Sequence, residues 1–583
     1  MRPIEAAGHA KVPRPPRAGG ARVLADAEAL DTSRERLHPM SSNADIQWTR
    51  RPCRYVPTAV SRARGMDQEQ ELTVSVDGYD EESYVAGNPD VAKLIELGIL
   101  RDGREHYLNY GIDEDRVPRL ARERAPVAGE LERAFVSESG FFLLLGWLSD
   151  EGHAATRQKL VGPDFTIDIP ASAVLRYARR DVEMSIRQGA FDFGFLTFAK
   201  CPSKFLLTQP FQLQAGSETG AFERRATPEI VSDRRLLETL LTLVATHQSH
   251  AGKEAGLYRF LAGPSGDYAV DLFRGHVAKN VASHYARTFR PRKVSRSFVT
   301  VLFGSTEAML LQPVMFRNEG IDFGEWIYVC NSPEDANAAL RLGRLISDLY
   351  DVMITVIIMT DNVGFGAANN VAVARASGAS IYVINPDVFP LAAHAGRLRQ
   401  TLRERELGST LWGGLLFYDD HNLMHSGMRV EWDSFFHCPS LNKTSGPPAS
   451  SFELARVEHF DKGVPFDEAK WRGFKPVPAI TGALMAFSKP YFERLGGFST
   501  RYIYGHYEDA DLSLRWAAAG GAVVVDPGLR LIHLEGQGSR ARGEQYQGAA
   551  MANRYLFSIS HGAAPRATPS EPRRIADATR PEI

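Results

Sequence analysis

Between residues 298 and 384 the chain alternates unbroken apolar runs with amphipathic stretches. Phe298–Phe303, Trp326–Cys330, Met353–Met359 and Ser380–Ile384 read as strands, with helices at Glu334–Leu349 and Ala367–Arg375. Strands that are apolar on both faces and separated by helices predict a mostly parallel sheet covered on both sides. In such sheets ligands bind at the carboxyl ends of strands. The pattern upstream is different. Segments at Gly140–Trp147, Phe165–Ile169 and Phe193–Phe198, set apart by Gly, Asp and Pro turns, predict a small β-sandwich-like domain over residues 131–230. LLETLLTLVATH and VAKNVASHYARTF predict a helical connector over residues 231–296, closed by the basic stretch Arg287–Arg296. Residues 71–125 read as a small helical module. In it Asn88-Pro89-Asp90 caps a helix carrying Val91, Leu94, Ile95 and Leu97, with Gly98 as its stop. A second short helix holds His106, Tyr107, Leu108 and Tyr110 and ends at Gly111, with His106 read as a packed ring. Residues 1–70, with eleven arginines and no apolar periodicity, predict a disordered basic arm, and residues 561–583 a disordered tail.

Composition narrows the function classes. The chain of 583 residues is 44% hydrophobic and 24% charged, as in ordinary globular proteins. Its net charge of -2 gives no positive field, so no nucleic-acid partner is expected. Cys53, Cys201, Cys330 and Cys438 lie far apart without metal-ligand spacing, which points to a reducing compartment and against a disulfide scaffold. The longest strongly apolar stretch, Phe141–Leu148, is less than half a membrane span. No basic start leads into an apolar signal segment. The expectation is a cytoplasmic multidomain protein without a transmembrane segment, with peripheral association at the inner membrane face left open.

The chemistry concentrates in two segments. In DNVGFGAANNVAVARASGASIYVINPDVFP, residues 361–390, Gly364 and Gly366 precede a helix, and glycines there suit phosphate oxygens. A tight strand-to-helix turn needs the same residues. The strand that follows ends in Asn385-Pro386-Asp387, which puts a carboxylate at the ligand edge as a hard ligand for Mg²⁺ or Mn²⁺. The tripeptide can also be a plain turn. The second segment is ITGALMAFSKPYFERLGGFSTRYIYGHYEDADLSLRWAAAGGAVVVDPGLRLIHLEGQGS, residues 480–539. Glu508, Asp509 and Asp511 crowd a helix N-terminus, where the dipole favours negative charge, and Asp511 lies four residues before Arg515. Three carboxylates exceed what capping requires. His533 follows a strand at Ala522–Val525 and reads alone as a core histidine.

Through GFGAANN, NPD, TGALM, LGGF, ED-x-DL and H-x-E-G, residues 297–560 resemble the family 2 glycosyltransferases. The resemblance implies a GT-A (Rossmann-like α/β) domain and inverting transfer from a nucleotide-sugar donor to a glycan or lipid-linked glycan acceptor. By the same resemblance Asp387 and His533 hold the divalent metal, Mg²⁺ or Mn²⁺. Phe303, Asn331, Gly364, Gly366, Asn369 and Gly482 contact the donor, Asp509 is the catalytic base, and Glu508 positions the acceptor or the base. YVAGNPDVAKLIELGILRDGREHYLNYGIDEDRVP resembles helical modules of bacterial surface-polysaccharide enzymes, and GFFLLLGWLSDEG with RYARRDVEMSI resembles accessory β-domains of multidomain glycosyltransferases. The chain departs from the family at YVCNSPED, where Cys330 replaces an aspartate that reads the base, and at LFGSTE after the first strand. An oxidoreductase would need GxGxxG after the first strand, which is absent. A nucleotidyltransferase leaves ED-x-DL and H-x-E-G without a role. A catalytically inactive scaffold or carbohydrate-binding protein is the remaining alternative.

Overall fold

The computed structural model describes residues 81–107, 127–149, 157–163, 165–186, 192–201, 209–217, 220–250, 253–436, 451–534 and 543–562. The expectations for residues 1–70 and 563–583, for Leu108, Tyr110 and Gly111, and for Glu535-Gly536 of the H-x-E-G segment lie outside these residues. Among the described residues no helix is long and apolar enough to cross a membrane. Residues from Val76 onward form one unit.

Helices α1 (Glu81–Gly87), α2 (Pro89–Glu96) and α3 (Gly103–His106) open it. Proline at the first helical position starts α2, whereas the Asn88 amide donates to Tyr84 O (2.6 Å) and does not cap the helix. His106 is buried, with Nδ1 3.0 Å from Tyr84 Oη, so it packs as a ring.

Among the described residues the strands that follow are β1 (Gly129–Ser137), β2 (Phe141–Leu148), β3 (Arg157–Val161), β4 (Thr166–Ile169), β5 (Val174–Tyr177), β6 (Gly194–Lys200), β7 (Phe211–Ser217), β8 (Gly220–Ala226) and β9 (Glu229–Val231), with α4 (Arg180–Ile186) between β5 and β6. They form one sheet in the order β5-β6-β2-β1-β9 and a second in the order β4-β3-β7-β8. Val136, Phe142, Leu144 and Phe195 of the first sheet meet Leu213 and Phe222 of the second in one core. The other face of the first sheet, with Phe141, Leu143 and Phe198, packs on leucines of α5 (Asp233–Thr246), α6 (Lys253–Ala262) and α7 (Pro264–Ala282). Cover on both faces explains why β2 reads FFLLLGWL without alternation.

The main sheet begins earlier than residue 297. Strand β10 (Tyr285–Phe289), inside the expected connector, pairs antiparallel with β13. It is an edge strand, with Ala286 and Thr288 half-buried and Tyr285 and Arg287 exposed, as fits a strand covered mainly on one face. The sheet continues through β11 (Arg296–Leu302), α8 (Ala308–Asn318), β12 (Glu325–Cys330), α9 (Ala336–Tyr350), β13 (Met353–Ile358), α10 (Gly364–Arg375), β14 (Ser380–Ile384), β15 (Val388–Pro390), α11 (Ala395–Glu404), β16 (Thr410–Phe417) and β17 (Leu423–His425). A two-stranded ribbon, β18 (Met428–Phe436) and β19 (Ser451–His459), leads to β20 (Lys475–Pro476), β21 (Leu484–Ser488), α12 (Lys489–Arg494), α13 (Glu508–Ala518), β22 (Ala522–His533) and α14 (Glu544–His561). Strand order is β10-β13-β12-β11-β14-β21-β16-β22-β15.

The expectation of a mostly parallel sheet needs correction. Parallel pairing joins β13, β12, β11 and β14, where helices supply the crossovers, and β16 with β22. Strand β21 enters antiparallel between β14 and β16, and β15 lies antiparallel to β22. The sheet is mixed, and the fold class is mixed α/β. The wedge of antiparallel strands has a consequence for the site: it puts residues 480–533 beside the end of β14.

Candidate active site

At the end of β14, Asn385-Pro386-Asp387 turns into β15, whose Val388 pairs with His533 at the end of β22. This register sets the Asp387 carboxylate 3.2 Å from His533 Nε2. The turn is fixed by backbone bonds, since Asn385 N donates to Ala483 O (3.0 Å) and Leu534 N to Asp387 O (2.9 Å). Gln312 of α8 adds two more, donating from Nε2 to Asn385 O (2.7 Å) and Val388 O (3.0 Å). The sequence signal for Gln312 is a lone polar residue inside the apolar run of α8.

An Asp387 oxygen and a His533 nitrogen 3.2 Å apart suit two neighbouring corners of an octahedral cation, roughly 3 Å apart for ligands at about 2.1 Å. A carboxylate with an imidazole suits Mn²⁺ better than Mg²⁺. His533 Nδ1 is buried and has no hydrogen-bond partner among the described residues. Among those residues no third His, Cys, Asp or Glu joins the pair. Beside it, burial and then the imidazoles of His459 and His533 hold His425 well below the usual histidine range, so that ring stays neutral.

The glycine turn is held by hydrogen bonds inside the protein. Asn331 Oδ1 accepts the Val363 N–H (3.0 Å), Asn362 Oδ1 accepts the Gly364 N–H (2.9 Å), and the Phe365 N–H goes to Tyr504 O (2.7 Å). The amides of Val363, Gly364 and Phe365 are thus satisfied inside the protein. Gly364, at φ +79°, is required on two counts, because a Cβ there would also lie 3.0 Å from the Tyr504 backbone. A Cβ at Gly366 would lie 3.1 Å from Phe498 Cβ. The glycines therefore let α10 approach the segment that carries the acidic helix. Asn331 is buried and spends its amide on Val363 and on Asn362 Oδ1 (2.8 Å). Asn369 is fully buried and donates to Phe365 O (3.0 Å), while its Oδ1 has no partner among the described residues. Cys330 is fully buried, which pushes its thiol up to about 11 and leaves it inert. Phe303 is half-buried, edge-on to Tyr546 of α14 at 5.7 Å.

The acidic helix has no side-chain cap, and Tyr507 at its N-cap is left-handed (φ 71°). Tyr504 (φ 59°) and His506 (φ 78°) are also left-handed, a strain of roughly 1–2 kcal/mol each for residues with a Cβ. Asp509 is half-buried, and its Oδ2 accepts the Gly482 N–H (2.9 Å). Gly482 precedes Ala483, the partner of Asn385. A hydrogen-bonded path thus runs from the Asp387 turn through residues 482–483 to Asp509.

The three carboxylates differ in state. Burial, and then the Asp509 charge, push Glu508 up to about 8, and its Oε2 has no partner among the described residues. Glu508 therefore carries a proton at neutrality. An unfolded glutamate loses its proton near about 4.3, so the folded state binds more protons between there and about 8. Stability should fall as pH rises through that window, by up to about 1.4 kcal/mol per unit. Glu508→Gln should flatten the fall and melt above wild type near about pH 9, with little difference at about pH 4.5. A wild-type slope in that variant, read from melting curves across pH, would contradict the protonated state.

Asp511 is consumed by structure. Its carboxylate meets Arg515 Nε (2.7 Å), His561 Nε2 (2.9 Å) and the Tyr502 hydroxyl (3.1 Å). Burial raises its pKa, but His561 and Arg515 outweigh this and hold it below the usual carboxylate range. Asp511→Asn should lower stability by about 2 kcal/mol, with a smaller effect on turnover. Melting and turnover measured side by side check this, and a stable but inactive variant would reverse the roles of Asp509 and Asp511.

No protein-family model and no curated protein matches the sequence. Among solved structures the chain is similar to GalNAc-T7 with UDP, GalNAc and Mn²⁺, at 14% identity and TM-score 0.31 over 46% of this chain; the match spans half of the GalNAc-T7 chain. It is also similar to the mannosyltransferase PcManGT from Pyrobaculum calidifontis in complex with GDP-Man and Mn²⁺, at 14% identity and TM-score 0.30 over 56% of this chain and 77% of that one.

Proposed function

We propose that the chain is an inverting glycosyltransferase, using a nucleotide-sugar donor with Mg²⁺ or Mn²⁺ and a glycan or lipid-linked glycan hydroxyl as acceptor. One observation carries the reading. Two carboxylate sites more than a hundred residues apart in sequence, Asp387 with His533 and Asp509 with Glu508, share one sheet edge through the 482–483 turn. Asp387 and His533 would hold the divalent cation, which would supply positive charge for the departing nucleoside diphosphate. Asp509 takes the proton of the acceptor hydroxyl as its oxygen attacks the anomeric carbon. Glu508, protonated, cannot compete as base, and it leaves the negative charge on Asp509. Gly482 orients that carboxylate through its N–H.

With Cys330 inert and the Asn331 amide bonded to the 362–363 turn, the base of the donor is read without the usual aspartate. The resemblance of residues 84–118, and of residues 140–152 with 176–186, to accessory modules supports a bacterial surface glycan as acceptor and work at the inner face of the membrane. The same buried Cys330 and Asn331 favour, as a second reading, a protein that binds sugars without turning them over. Thermal melting against a panel of nucleoside diphosphates, with Mn²⁺ and with chelator, tests the donor site. Stabilisation by at least one diphosphate only when the metal is present is expected. No stabilisation by any of them would overturn the reading.

A further inference from the structure

Left-handed backbone at Tyr504, His506 and Tyr507 persists only if the surroundings over-determine it. Its backbone groups converge on one side chain from the C-terminal helix. Asn553, fully buried in α14, accepts the Ile503 N–H at Oδ1 (2.9 Å). Its Nδ2 donates to Ile503 O (2.9 Å) and Gly505 O (2.6 Å), with a longer contact to His506 O (3.4 Å). The amide uses both its donor and its acceptor here, which no apolar or acidic side chain of that size can do. Beyond the clamp, Tyr507 O accepts the Asp511 N–H (2.9 Å) in the first turn of α13. The direction of α13, and with it the position of Asp509, is set by the clamped segment.

We infer that Asn553 is a positioning residue for Asp509, acting through the left-handed segment and not by contact with substrate. The inference rests on the proposed role of Asp509 as base. The test uses the full chain as Asn553→Ala, Asp509→Asn and the double variant, with Asn553→Ser in place of Asn553→Ala should the latter not fold. Amide hydrogen exchange at Ile503 and Phe365 reads the clamp independently of any activity. It should quicken at least about tenfold in Asn553→Ala, with the amides of β11–β13 unchanged. Donor turnover should fall by about 10², as a misplaced base does, with donor affinity held within about twofold. In the double variant turnover should fall no further than in Asp509→Asn alone, because both changes remove one function. Unchanged exchange overturns the clamp, and losses that multiply overturn its action through Asp509. If exchange quickens but Asp509→Asn alone keeps wild-type turnover, the base assignment fails and the positioning role falls with it, leaving a structural clamp.

Discussion

Asp509→Asn should lower sugar transfer by at least about 10² while donor affinity stays within about twofold. An acceptor hydroxyl is a poor nucleophile until its proton is taken as the new bond forms, and general-base assistance contributes typically about 10²–10⁴. The three acidic residues of α13 divide cleanly on this point. Asp511 is tied to Arg515, His561 and Tyr502, and Glu508 holds a proton at neutrality. Asp509 alone is both half-exposed and free of a cationic partner among the described residues. Asparagine keeps its shape, but its single oxygen can accept only one of the Gly482 and Ala510 N–H groups, so melting should fall a little and turnover far more. Steady-state transfer with donor titration separates the two, and near-normal turnover in Asp509→Asn would remove the base from the scheme.

Asp387→Ala should abolish metal-dependent donor binding, a loss of at least about 10² in affinity, with the fold intact. The fold should survive because the turn does not depend on this carboxylate. Gln312, the Asn385–Ala483 bond and the pairing of β15 with β22 hold its backbone. His533→Ala should weaken binding less, since a carboxylate is the harder ligand for such a cation. Calorimetric titration of a nucleoside diphosphate with and without Mn²⁺ distinguishes the cases. Wild-type metal dependence in Asp387→Ala would place the cation elsewhere.

The sequence made some of this legible and concealed the rest for physical reasons. Strands β11–β14 announce themselves because burial on both faces leaves them mostly apolar, with few polar positions such as Thr300, Glu325 and Thr355. Asp387 is visible because a carboxylate directly after such a strand must emerge at the sheet edge. The glycines were visible, but their role was not, since the demand for them at residues 364 and 366 comes from Tyr504 and Phe498, more than a hundred residues away. Asn331 and Asn369 looked like ligand contacts because an amide's partners cannot be read from its neighbours in sequence. In the structure Asn331 bonds to the turn at residues 362–363, and Asn369 donates to its own helix. The antiparallel entry of β21 was hidden for a similar reason: it depends on a return through residues 385–483, whose strands are short and irregularly spaced. The proton on Glu508 follows from burial and from Asp509 together, and neither the depth nor the alignment of the two is encoded locally.

The account stands or falls on turnover of a nucleotide sugar at this edge of the sheet. The direct measurement is release of nucleoside diphosphate from a panel of nucleotide sugars by the full chain, in Mn²⁺ and in chelator, with Asp387→Ala and Asp509→Asn as controls. The account predicts that at least one donor is turned over, that chelation or Asp387→Ala stops it, and that Asp509→Asn slows it by at least about 10². Release that survives both chelation and Asp509→Asn, or no release from any donor by wild type, would contradict it.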